Sequence, residues 1–181
     1  MAKLLPTPTS QLAAMLAKFD PAMEKFGKAT HNKMRTLLPT ATQMVYDNYN
    51  FFVIGFGPTD RASQAICSLA MDAHGVRLCF LWGVGLPDPE GLLRGGGNQV
   101  RNVWLDSATT LDRPAVKALI TEAVLRSKVP MPESGKGSLI IKSISAKQRP
   151  RRLPEKLATK PKLKTNTNTK TKTKTKPKTK M

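Results

Sequence analysis

Apolar side chains recur along this chain with two different periods, and the switches between them divide it into elements. Leu12, Met15, Leu16 and Phe19 fall at i, i+3, i+4 and i+7, the spacing of one helical face, with Ser10 placed to cap the first turn. Asp20-Pro21 has the form of a second helix start, an N-cap followed by a proline at the first helical position, and Met23, Phe26, Thr30, Met34 and Leu37 continue one face until Pro39. From Thr42 the period shortens. The run MVYDNYNFFVIGF is rich in β-branched and aromatic residues, with Asp47-Asn48 as a turn or bulge signal, and it predicts a strand over 50–56. Cys67, Leu69 and Met71 alternate in a second strand over 65–71. Val76, Leu78, Phe80 and Trp82 alternate against Arg77 and Cys79 in a third, the pattern of a strand with one buried face. A fourth strand, over 99–105, places Arg101 on the side of Val103 and Leu105. Asp112 is positioned to cap a last helix whose inner face is Val116, Leu119, Ile120, Ala123 and Val124. After a Pro/Gly linker, residues 139–144 can add an edge strand.

Short connections between successive strands favour an antiparallel meander. The expected fold class is therefore α+β: two layers, a mainly antiparallel sheet of about four to five strands, with an N-terminal helix pair and a C-terminal helix packed on it. The expected division is a flexible leader over 1–9, a domain over 10–128, a linker with the possible edge strand over 129–147, and a tail over 148–181.

Charge separates that tail from the rest. Residues 148–181 hold 13 Lys or Arg against Glu155, net +12, whereas residues 1–147 are net +6. The terminal Lys/Thr tract has almost no apolar residue with which to offset the entropy of ordering, which predicts disorder. Arg149, Arg151, Arg152, Lys170, Lys172, Lys174 and Lys176 are its candidate contacts to phosphate backbones, without reading of sequence. No homeodomain, zinc-finger or RNP pattern accompanies them. A solubilising extension is the other reading of the same charge. The two cysteines, Cys67 and Cys79, lie in apolar runs and fit buried free thiols in a reducing cytoplasm rather than a disulfide framework. No run approaches the roughly 20 apolar residues that cross a bilayer, so no membrane partner is expected.

Candidate chemistry concentrates between the third and fourth strands. Prolines restrict φ and glycines admit positive φ, so the loop LPDPEGLLRGGG is expected to hold one shape. Successive N–H groups at Gly95, Gly96 and Gly97 can form an anion-binding nest, with Arg94 and Arg101 supplying charge and Asp88 an acid. A structural turn in which Arg101 pairs with Asp88 or Asp106 accounts for the same residues. Tyr46, Asp47, Tyr49 and Asn50 make a second polar and aromatic cluster, either lining a pocket with the loop or forming a hydrogen-bonded lead into the sheet. His31 and His74 stand apart, and no HxxxH, CxxC or HExxH spacing occurs. Catalysis has no support beyond an acid or base role for Asp47 or Asp88.

The stretch VYDNYNFFVIGFGPTDRASQAICSLAMDAHGVRLCFLWGVGLPDPEGLLRGGGNQVRNVWL resembles the YdhG-like family, small bacterial domains of unknown function. The resemblance covers residues 39–126 and is strongest at Tyr46-Asp47-x-Tyr49-Asn50, at Gly55-Phe56-Gly57-Pro58-Thr59, and from LPDP to RGGGNQVR; the SAKQRPRR of 145–152 is similar to the end of some members. It implies a two-layer α+β fold; with the residue patterns above, the reading is a small binding domain whose candidate site is Tyr46, Asp47, Tyr49, Asp88, Arg94, Gly95, Gly96, Gly97 and Arg101. One branch has been proposed to deliver iron in a frataxin-like way, so iron enters as an expectation from resemblance alone. No other cofactor is expected. A small polar or anionic ligand or a protein partner is the first reading and nucleic acid the alternative; the oligomeric state stays open.

Overall fold

The computed structural model describes residues 5–154. Each helix in that range begins on a proline, where the missing N–H is harmless because first-turn donors have no partner within the helix. Helix α1 (Pro8–Leu16) is capped by Thr7, whose hydroxyl accepts from the Ser10 N–H at 3.2 Å. The cap is therefore Thr7 and not Ser10, and the helix begins inside the segment expected to be a leader. Helix α2 (Pro21–Leu37) is capped as expected by Asp20, which accepts from the Met23 N–H at 2.9 Å. Four strands follow: β1 (Thr42–Asp47), β2 (Phe52–Gly57), β3 (Cys67–Asp72) and β4 (Gly75–Phe80). Then come β5 (Arg101–Leu105), α3 (Pro114–Leu125) and β6 (Leu139–Ile144). Asp112 does not cap α3. It ends a 3-10 turn, Ala108–Asp112, and its carboxylate meets Lys33 of α2, while Arg113 takes the position ahead of Pro114.

The fold class is α+β, as the sequence implies. The sheet has six strands in the order β5-β4-β3-β2-β1-β6, antiparallel except where β6 runs parallel to β1. Cross-strand partners share a face, so the register defines rows. Val45, Ile54, Leu69, Leu78 and Val103 form one buried row across five strands, and Phe52, Met71, Val76 and Leu105 form the next. These rows merge with Leu12, Leu16, Phe19 and Met34 of the N-terminal pair and Val116, Leu119 and Ile120 of α3 into one core. Each such side chain, fully buried, contributes about 1.5–3 kcal/mol. On the other face Val53, Ala70 and Arg77 are only partly covered and Trp104 is exposed, so the helices occupy one side.

Two features lie outside what the periodicity foretold. Gly137 lets the chain pass Ala41 on its way to β6: a Cβ there would sit 1.8 Å from the Ala41 carbonyl oxygen. Residues 148–152 also belong to the fold rather than to a tail. The Arg149 N–H donates to the Tyr49 carbonyl at 2.9 Å, and Arg151 is buried. The Lys/Thr tract, with Lys170, Lys172, Lys174 and Lys176, lies outside the described residues. Among the described residues no helix is long and apolar enough to cross a membrane.

Candidate functional site

The connection between β4 and β5 folds back on β5 and is held by its own groups. The Asp88 carboxylate accepts from the N–H groups of Leu92 at 2.8 Å and Leu93 at 2.7 Å, filling donors that a loop would otherwise leave to water. Arg94 and Asn102 exchange two backbone hydrogen bonds, of 2.7 and 2.9 Å, and Gly95 turns between them with φ +126°, in the region that favours glycine. The Arg101 guanidinium donates to the carbonyls of Gly97 at 2.6 Å and Val100 at 2.8 Å, and that of Arg94 to Gly91 at 2.5 Å. The expected pairing of Arg101 with Asp88 or Asp106 is absent; Arg101 closes its own hairpin instead. Glu90 pairs with Arg113 at 2.7 Å, pinning the loop beside α3. Gly96 and Gly97 stand open, with nothing within 4 Å of where a Cβ would be.

The tyrosine cluster does not share a pocket with this loop. Three strands separate β1 from β5, which at about 4.8 Å per strand is roughly 19 Å. Asp47 instead faces the helices in the same row as Phe52 and is 1% exposed. An acid there needs compensation. Lys18 supplies it at 2.5 Å and Arg151 at 3.0 Å, and Arg151 also donates to the carbonyls of Asn50 at 2.9 Å and Asn48 at 2.5 Å. Arg151 is thereby unavailable to a phosphate backbone, which corrects its assignment as a nucleic-acid contact. Arg152 is engaged too, donating to the carbonyls of Ala17, Lys18 and Phe19, the groups left open where α1 ends. Arg149 stays exposed, its guanidinium 5.6 Å from the Tyr49 ring centre, and the Tyr46 hydroxyl points to the Met44 sulfur.

A cavity of about 540 Å³ opens where the loop leaves the sheet. Trp82 continues the alternation of β4, yet β4 ends at Phe80, so nothing beyond the sheet covers the ring and it is 60% exposed. This corrects its expected place on a buried face. Ala65, Ile66, Ala123 and Val129 give the cavity apolar walls. Arg126 bridges helix and loop, donating to Glu122 and to the Gly85 carbonyl, each at 2.6 Å. The Lys128 ammonium lies 5.9 Å from the centre of the Trp82 ring. Periodicity missed this site because the ring's exposure depends on where the neighbouring strands stop.

The remaining reactive groups are quiet. Burial pushes the Cys67 thiol up to about 12, with the neighbouring Cys79 adding to the shift. Burial pushes Cys79 up to about 11 against the opposing pull of Arg77. Neither thiol carries appreciable thiolate at neutral pH. Among the described residues no group of three or more His, Cys, Asp or Glu side chains converges to hold a metal ion. No family model matches this chain, and neither a curated protein nor a solved structure matches it.

Proposed function

We propose that this chain is a small YdhG-like binding domain of the cytoplasm that takes a flat, mostly apolar ligand bearing an acidic group at the Trp82 pocket. The observation that carries this reading is Trp82 itself: a large ring left exposed over an apolar cavity, with Lys128 beside it and Arg126 at its rim. Such rings offer much contact area at little cost in side-chain freedom. The LPDPEGLLRGGG loop contributes the frame rather than the seat, since Asp88, Arg94 and the neighbouring Arg101 are engaged with the backbone of this connection and Glu90 with Arg113. Protonated free thiols, Cys67 buried and Cys79 half-buried, suit a reducing compartment.

Anilinonaphthalene sulfonate has the chemistry of the expected ligand and reports its own burial by fluorescence. It is expected to bind the parent saturably, one per chain, and Trp82→Ala is expected to weaken binding at least tenfold, about 1.4 kcal/mol. The melting temperature should barely move, because the ring is outside the core. Undiminished affinity in Trp82→Ala would place the site elsewhere. Nucleic-acid association is a second reading, favoured by the net +12 of residues 148–181. Iron delivery is supported by the family resemblance alone.

A further inference from the structure

A second cleft lies at the other edge of the sheet, between α1, α2 and the start of β6. It measures about 400 Å³ and has an apolar floor of Leu12, Leu16 and Leu139. A neighbouring hollow of about 350 Å³ shares Asn32, Arg35, Gln43 and Lys136 with it. In its wall His31 and Gln43, each 6% exposed, are joined at 2.7 Å through the imidazole Nε2 and the Gln43 carbonyl oxygen. With the oxygen accepting, the ring nitrogen carries the hydrogen, and the Gln43 amide NH2 has no partner among the described residues.

The cations set the chemistry. Arg35, Lys136 and Lys28 line the cleft, and no carboxylate lines either hollow. Lys28 is held by Glu24 at 2.5 Å, but Arg35 and Lys136 make no ion pair among the described residues. Two like charges facing one hollow repel each other, and low-dielectric walls focus their field on whatever enters. An anion relieves that repulsion. It would meet a guanidinium fork, an ammonium and an unused amide, a donor set matched to a phosphate group. The apolar floor rewards an anion that carries a compact hydrocarbon body over a bare ion.

We propose that this cleft binds an organic phosphate monoester, its phosphate between Arg35 and Lys136 and its apolar body on Leu12, Leu16 and Leu139. The site is separate from the Trp82 pocket and stands or falls independently of it. Calorimetric titration of the full chain with phenyl phosphate tests it, with inorganic phosphate as the second arm. Phenyl phosphate should bind saturably, one per chain and at least tenfold more tightly than inorganic phosphate. Arg35→Gln and Lys136→Gln should each weaken it at least tenfold without lowering the melting temperature, and Trp82→Ala should leave it unchanged. Heat that never saturates, or binding by both the lysine and the arginine variant as tight as the parent's, would show only diffuse attraction to a basic chain and overturn the proposal. Equal affinity for the two phosphates would remove the role of the apolar floor, and loss in Trp82→Ala would transfer the binding to the other pocket.

Discussion

Gln43 and Asp47 flank Val45 on the buried face of β1, and the two polar side chains find partners of opposite kinds. Asp47 is matched by charge, whereas Gln43 is matched by the imidazole of His31. Burial holds the His31 pKa below its ordinary value near 6.5; the Gln43 hydrogen bond opposes this, and Arg35 adds to it. The sign follows from proton counting. Below about pH 6.5 the unfolded chain takes up a proton at this residue that the folded chain refuses until its lower pKa is reached. Stability from this group is thus complete above the unfolded value and is lost as pH falls through the window beneath it. The urea midpoint of the parent should decline on acidification below about pH 6.5. His31→Gln should show a shallower decline over the same range, and identical slopes would mean that His31 is free to charge in the fold.

At the scale of elements, the Asp88 loop shows what one acid does for a connection without regular structure. Asp88→Ala leaves the N–H groups of Leu92 and Leu93 without their acceptor, a loss comparable to removing a helix cap, about 1 kcal/mol. Faster amide exchange at those two residues, with a small fall in denaturation midpoint, is the expected result; unchanged exchange would mean water already serves them. The sequence revealed this loop as a fixed shape because proline and glycine act locally. It concealed that Arg101 bonds Gly97 and Val100, since an arginine near two acids reads equally well as an ion pair. Strand alternation was legible in Cys67, Leu69 and Met71 and in Val76, Leu78 and Phe80 for the same local reason. Strand order was not. Placing Asp47 and Arg101 on one face but four strands apart depends on pairings that no local period records. The phase of Trp82 was readable, but its exposure was decided by the end of β4.

Over the whole molecule, charge composition and structural role part company at Arg151. A window on 148–181 sees a basic run, yet one of its arginines lies 3% exposed against an acid 104 residues away, and the next closes the end of α1. The missing clue was Asp47: an acid in phase with Val45 on the face of a strand that packs on helices calls for a buried cation from somewhere in the chain. Segment 148–152 is therefore a strap that joins the β1–β2 turn to the helix pair, and two truncations separate it from the lysines beyond. Ending the chain after residue 147 leaves Asp47 with Lys18 alone and reopens the carbonyls of Ala17, Lys18 and Phe19, with an expected loss of about 3–5 kcal/mol in urea denaturation. That is a large share of the roughly 5–15 kcal/mol that holds a typical domain. Ending it after residue 154 preserves those contacts, so the midpoint should match the parent. The same chain lacks ten lysines and should lose retention on DNA at low salt. Retention that survives this shorter deletion would move nucleic-acid association into the folded domain, with Arg149 exposed on Tyr49 as the first residue to test.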